Sequence, residues 1–270
     1  MKVVRQTVKF DKKLLDKNAV KVIDTIHKAG FEVYLVGGCV RDLLLGLRPK
    51  DFDVATNAKP EQVHKLFKRS RLIGRRFRLV HVMFSARNFI EVATFRSGKV
   101  QTAKSGVIVR DNCYGNIEDD VIRRDFNINA LYYDIKKHQV IDYVGGLIDI
   151  SNKEIHMIGE PTLRFEQDPV RMIRAVRFQS KLSAKLSPEI HASILNQAHL
   201  LSHVSPARLY EECIKLFHNE YAFEVFESLE KYGLLQCLFK QTHKNNFIKK
   251  ALLNTSTRIK QNKPDRKSVV

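Results

Sequence analysis

YLVGGCVRDLLLGLRPKDFDV, residues 34–54, reads as a strand, a double glycine, a short helix carrying Arg41-Asp42, and a second strand carrying Asp51 and Asp53. Strand side chains alternate between faces, so this spacing predicts that Asp51 and Asp53 leave one face together. Carboxylates that close repel each other and resist joint ionisation. A divalent cation removes the repulsion, and Mg²⁺ favours a few carboxylates together with substrate phosphates. Gly37-Gly38 stands where a strand gives way to a helix. A backbone without Cβ can approach an anion closely there, and N–H groups point at it. Leu43, Leu44 and Leu45 are expected in the core, with Gly46 ending the helix. A double glycine alone is usually a turn, and a D-x-D alone is usually a solvated strand face. Both within one strand–helix–strand unit, with an Arg-Asp pair between them, imply nucleotidyl transfer.

The charge of the chain points the same way. It has 270 residues and 44% hydrophobic content, enough for a substantial core, but 47 Lys and Arg against 29 Asp and Glu, a formal charge of +18. Such an excess is the electrostatic footprint of a polyanion-binding protein, most simply one that binds nucleic acid. No apolar run reaches the roughly 18 residues of a membrane span. Charges interrupt the N-terminal apolar residues, so no signal peptide is expected and a cytoplasmic location is. Cys39, Cys113, Cys213 and Cys237 are far apart and form no CxxC, which argues against zinc and against a disulfide framework.

Outward from the opening stretch, periodicity predicts a helix over 12–29, with Leu15, Ala19, Val22, Ile23 and Ile26 on one stripe. A strand is expected over 31–37, and a capped helix follows at Pro60. LVHVMF and NFIEVATF read as a hairpin, 97–116 as a loop, 117–131 as a helix, and LYYDIKK/HQVIDYV as a second hairpin. After residue 160 the pattern is helical with no strand signal. Asp168-Pro169 is expected to start one helix, Asp as N-cap, and further helices lie near 187–200, 205–218 and 220–232. The expected organisation is an α/β head with a mixed sheet over 1–155, an all-α neck over 156–240, and a basic tail over 241–270. The tail is read as disordered, with Asp265 its only acidic residue.

The pattern LVGG-x-VRDLLLG-x-x-PKDFDVAT resembles the bacterial poly(A) polymerase and CCA-adding tRNA nucleotidyltransferase family, within the polymerase-beta-like nucleotidyltransferases. The resemblance continues through GRRFRLVHVMF (74–84), IEVATFR (90–96), RRDFNINALYYD (123–134), DYVGGLID (142–149) and EQDPVRMIRAVRF (166–178). It fades after PARLYEE (206–212). The segments 74–84 and DFDVATNAKPEQV look more like the poly(A) polymerase branch.

The resemblance implies a polymerase-beta-like head followed by a helical neck, and transfer of AMP from ATP to RNA 3′ ends with release of pyrophosphate. CCA addition to tRNA is the alternative, and a truncated, weakly active or non-catalytic RNA-binding remnant is another. Family members usually continue well past residue 240 into a helical body that grips RNA, so short, distributive tails are expected from this chain. The implied partners are RNA 3′ ends, mRNA-like or tRNA, and a nucleoside triphosphate, with Mg²⁺ or Mn²⁺ as cofactor. Asp51 and Asp53 are the expected metal ligands and, with Asp125, the catalytic carboxylates; Glu91, mid-strand in FIEVATF, is the third ligand candidate. Gly37, Gly38, Arg41 and Arg124 are the expected nucleotide-binding residues of the head, with Asp42 a candidate to fix Arg41. In the neck, Asp168, Arg171 and Arg174 fall on the motif that reads the base edge, and Met172, Ile173 and Val176 are expected to pack inward. Two positions depart from the family pattern: Asn127 stands where Thr is common and Gln167 where Glu is common. Lys65, Lys68, Arg69, Arg71, Arg75, Arg76 and Arg78 form a basic cluster suited to RNA phosphates.

Overall fold

An aspartate carboxylate sets the first helix. Asp16 accepts from the backbone N–H of Asn18 (2.7 Å) and Ala19 (2.9 Å) and so caps a helix that starts at Lys17, five residues later than periodicity predicts. The computed structural model describes residues 2–74, 78–86, 88–97, 101–102, 108–110, 113–239, 246–261 and 263. Two units divide the chain, one ending at Asn152 and the other starting at Lys153.

The first unit runs β1 (Val4–Thr7), α1 (Lys17–Lys28), β2 (Val33–Val36), α2 (Gly38–Leu44), β3 (Asp53–Thr56), α3 (Pro60–Leu66), β4 (Ser70–Ile73), β5 (Leu79–Met83) and β6 (Phe89–Thr94). It continues with β7 (Gln101–Thr102), β8 (Ile108–Arg110), α4 (Ile117–Arg123), a 3₁₀ turn (Asn127–Asn129), β9 (Leu131–Asp134), β10 (Gln139–Asp142) and α5 (Gly146–Asn152). The main sheet has the order β1-β10-β9-β2-β3-β6-β5-β4. All its neighbours are antiparallel except β3 and β6, which run parallel. One face, with Leu35, Val54, Val80, Val82 and Val92, packs with Val22, Ile23 and Ile26 of α1 and Val63 of α3 as one apolar core. The other face carries Asp53, Glu91 and a group formed by Tyr34, Phe95 and Tyr132, ring centroids 6.2–6.4 Å apart.

Several expectations are corrected here. Asp51 is not in the strand: β3 begins at Asp53, whose partner Val36 is the last residue of β2. Gly37 turns the chain away at φ +74°, so residues 51 and 52 have no β2 backbone left to pair with. Leu43 is buried, but Leu45 is 38% exposed because the helix ends at Leu44 and Gly46 follows at φ +71°. The helix expected over 117–131 stops at Arg123, since the Asp125 carboxylate takes the Phe126 N–H and competes with the helical ladder. The loop expected over 97–116 contains the short pair β7–β8, and residues 98–100, 103–107 and 111–112 lie outside the described residues. Arg75 and Arg76 of the basic cluster and Arg87 of the hairpin turn also lie outside them.

The second unit runs β11 (Glu154–Ile155), α6 (Pro161–Gln167), α7 (Val170–Leu182), β12 (Lys185–Leu186), α8 (Pro188–Gln197), a 3₁₀ segment (Ala198–His203), α9 (Pro206–Phe217), α10 (Ala222–Lys231), α11 (Leu234–Leu238) and α12 (Asn246–Lys260). The expected helical region is present, and to it are added β11 and β12, which pair in parallel over two residues each, too short to show an alternating pattern. Met172, Ile173 and Val176 of α7 are fully buried. The unstructured reading of the tail is corrected for Asn246–Lys260. Ile248, Leu252, Thr255, Ser256 and Ile259 lie at helical spacing and are, with Arg258, its less exposed residues; the polar Thr255 and Ser256 hide the stripe from a hydrophobicity pattern. Among the described residues no helix is long and apolar enough to cross a membrane.

Candidate active site

The glycine turn and the D-x-D segment meet in the head unit through backbone register. Asp53 opens β3 and stands beside Glu91 of the parallel strand β6. In-register neighbours share a face, so the two carboxylates leave the sheet together, opposite the apolar core. Solvent reaches Asp53, yet protein surrounds its carboxyl closely enough that desolvation leads its shift. The Glu91 and Asp51 carboxylates add to it, Arg124 opposes it, and the net result is a group pushed up to about 6. Asp51 therefore lies near Asp53 from the loop side, although the strand argument that paired them does not hold.

Glu91 is 41% exposed at its side chain, and its Oε2 lies 3.5 Å from His81 Nε2 on β5. Among the described residues no three His, Cys, Asp or Glu side chains are drawn together tightly enough to cage a metal by themselves. Mg²⁺ needs no such cage, because it binds through one or two carboxylates and takes its remaining ligands from water and phosphate. Hard oxygen donors that already repel one another are the chemistry such a cation fits.

Gly37 caps α2 and Gly38 begins it, and a side chain at Gly37 would meet Arg124 Nη1 at 3.4 Å and the Asn129 carbonyl at 3.6 Å. Arg41 is 3% exposed and donates from Nε (2.9 Å) and Nη2 (2.6 Å) to Asp42 Oδ1, so Asp42 fixes it as expected. Its Nη1 donates to Asn129 Oδ1 at 2.5 Å, and Asn129 Nδ2 donates to Asp125 Oδ1 at 3.2 Å. A chain of polar contacts thus runs Asp42–Arg41–Asn129–Asp125. Asp125 stands in this network, while the charges acting on Asp53 are Glu91, Arg124 and Asp51.

Arg124 is held by Asp120, with Nε and Nη2 donating to Oδ2 at 3.2 and 2.9 Å, and by the Tyr132 hydroxyl at 2.9 Å. Its guanidinium carbon lies 5.0 Å from the Tyr132 ring centroid. Burial works against the Asp120 charge, but Arg124 and the Tyr132 hydroxyl outweigh it and hold the carboxyl below its ordinary value. Asn129, Asp120 and Tyr132 are the site residues that sequence reasoning missed. Asn129 and Tyr132 lie inside the quoted motif RRDFNINALYYD, but only the fold shows that their side chains turn toward Arg41 and Arg124. Cys39 is buried on α2, and burial and then the Asp53 charge push its thiol up to about 12, which makes it inert.

In the helical unit, Pro169 occupies the N-cap of α7, and Asp168 Oδ1 accepts the Val170 N–H at 3.2 Å, a start shifted by one residue from expectation. Asp168 Oδ2 accepts from Arg208 of α9 at 2.7 Å. Arg171 Nη1 donates to the Arg164 carbonyl at 2.8 Å. Arg174 lies 3.8 Å from Glu212 Oε1, a buried carboxylate that Lys215 also approaches to 2.9 Å.

With this geometry in hand, the comparisons are specific. The family described as the poly A polymerase head domain matches residues 33–156, and one described as a probable RNA and SrmB-binding site of polymerase A matches residues 185–245. The chain is 47% identical over 274 residues to Poly(A) polymerase I of Escherichia coli O157:H7, an alignment covering 94% of this chain and 59% of that protein. It is 35% identical over 237 residues to the CCA-adding enzyme of Bacillus pumilus, covering 85% of this chain and 58% of that one. The crystal structure of the Bacillus stearothermophilus CCA-adding enzyme in complex with CTP superposes with a TM-score of 0.71 at 34% identity, covering 89% of this chain and 57% of that one. The chain thus spans less than two thirds of the length of these relatives.

Proposed function

This chain belongs to the family of bacterial poly(A) polymerases and CCA-adding nucleotidyltransferases, and from that membership we propose that it transfers AMP from ATP to RNA 3′ ends. The RNA 3′-oxygen forms a bond to the α-phosphorus, the bond to the β-phosphate oxygen breaks, and pyrophosphate leaves. The observation that carries this reading is the register of β3 and β6. It sets Asp53 beside Glu91 on an open sheet face, with Asp51 close by and the Gly37-Gly38 turn at the end of the neighbouring strand β2.

Asp53 and its neighbours Asp51 and Glu91 would offer carboxylates, one or two at a time, to a divalent cation, Mg²⁺ or Mn²⁺, with water and phosphate completing its shell; when bound it supplies charge neutralisation and activates the attacking hydroxyl. Gly37 and Gly38 let the triphosphate approach the backbone. Arg41 and Arg124, oriented by Asp42, Asn129 and Asp120, set positive charge beside it. Asp125 acts through Asn129 and the head network. Asp168, Arg171 and Arg174 are the base-contacting set of the helical unit. Arg208 and Glu212 act on that set through Asp168 and Arg174. Identity of 47% to a poly(A) polymerase against 35% to a CCA-adding enzyme favours ATP as the sole nucleotide.

The test offers one labelled nucleotide at a time to a short RNA and to tRNA lacking its 3′ end. ATP-only extension of either supports the proposal. Two C additions followed by one A would overturn it in favour of CCA addition. A second expectation concerns the excess of basic residues. RNA binding should weaken steeply with salt, the plot of log K against log [salt] having a slope of several units. A flat salt response, measured by filter binding, would show that phosphate contacts are not the source of affinity.

A further inference from the structure

The sheet face that carries the carboxylates does not end at Glu91. Register places Asp53, Glu91, His81 and Arg71 in one row across β3, β6, β5 and β4, all on the same face. Two residues before Glu91 on β6, the Phe89 ring stacks on His81 with centroids 4.1 Å apart and planes within 14° of parallel. Phe89 nevertheless remains 42% exposed. Cross-strand ring pairs support sheets, and this one leaves part of the Phe89 ring in water beside an acidic pair. Arg71 is exposed on the edge strand at the basic end of the row. The row therefore runs from carboxylates that would hold metal and phosphate, past a stacked ring pair, to a cation. Aromatic faces next to positive charge are how single-stranded nucleic acids are held without sequence readout.

We infer that Phe89, stacked on His81, is a base platform for the 3′-terminal segment of the RNA acceptor, with Arg71 meeting its backbone phosphate. This rests on the reading of RNA ends as substrate. The occupant is single-stranded RNA because the platform is continuous with the carboxylate pair and the chain carries a formal charge of +18.

The test uses oligo(A) bearing 2-aminopurine at its 3′ end, whose fluorescence falls on stacking, with the full chain at low salt. Phe89→Ala should abolish the quenching and raise the RNA Kd roughly five- to a hundredfold, the loss of one stacked base. Phe89→Trp should restore both, while Phe89→Leu, which keeps apolar bulk without a ring, should not. The KM for ATP should stay at the wild-type value in all three. Arg71→Ala should lower the salt slope by about one, whereas Phe89→Ala leaves it unchanged. Quenching and RNA affinity in Phe89→Leu equal to wild type would show that Phe89 only fills space and would overturn the platform with RNA-end transfer intact. A wild-type chain that bound no RNA at low salt would overturn both.

Discussion

Asp53→Asn is expected to lower AMP incorporation by roughly a thousandfold or more, because the charge that holds metal and phosphate in line is the main source of rate in such a site. The same change should leave the fold at least as stable as wild type. The carboxyl of Asp53 is pushed up from 3.8 to about 6 by desolvation and by Glu91. A group raised in this way keeps its proton in the folded state over a range where the unfolded chain has lost it. Its ionisation therefore destabilises the fold as pH rises through that range, with the full penalty present above about 6. Asparagine removes the penalty. Thermal midpoints without divalent cation should be similar near pH 4, with the variant pulling ahead by pH 7. Added Mg²⁺ should raise the wild type and leave the variant nearly unmoved. Near-normal incorporation by folded Asp53→Asn would remove this carboxylate from the mechanism.

The second large effect is on stability. Asp120→Ala removes a carboxylate that holds Arg124 at 2.9 Å and accepts from the Tyr132 hydroxyl at 2.7 Å. Breaking one side of a mostly buried pair costs about 3–5 kcal/mol, because the remaining charge keeps its desolvation penalty. Tyr132→Phe deletes only hydrogen bonds and should cost about 1 kcal/mol. The pH dependence has the opposite sign to that of Asp53. The Asp120 carboxyl is lowered in the folded state, so its contribution is present above the ordinary carboxylate range and is lost on acidification through the lower folded value. Urea unfolding of both variants checks this. An Asp120→Ala midpoint no lower than that of Tyr132→Phe would mean that the ion pair adds nothing to the fold.

The head was legible because its signals are local. Gly37-Gly38, the Arg41-Asp42 pair and the alternation around Glu91 each declare an element within a few residues, and the hairpin of β5 and β6 and that of β9 and β10 both appear where patterning puts them. What escaped depends on pairing at a distance. The bond from Arg41 to Asn129 joins residues 88 positions apart, and β1 joins the sheet through β10. Alternation puts Asp51 in a strand because it says nothing about where the partner strand ends. Periodicity carries the helix through Arg124 and Asp125 because it cannot see a side chain that competes for a backbone N–H. In the helical unit, the sequence pattern hides α12 because threonine and serine occupy positions that burial requires but hydrophobicity does not mark. The Asp168, Arg171 and Arg174 motif was visible, but its supports Arg208 and Glu212 sit on another helix.

The parallel register of β3 and β6 gives the molecule a form of self-inspection. Asp53 and Glu91 each precede a valine that is no more than 1% exposed, Val54 and Val92. A slip of either strand by one residue would turn its valine outward and drive a carboxylate into the apolar layer beneath α1 and α3. The chemistry and the core are thus written on opposite faces of the same four residues. A chain that folds in the wrong register cannot survive as a poor catalyst, because the error that misplaces the carboxylates also removes the stability needed to display them. Insertions or deletions within 53–56 or 91–94 should accordingly yield insoluble or degraded protein rather than slow enzyme, whereas at the exposed Ser85-Ala86 turn, outside both segments, added residues should be better tolerated.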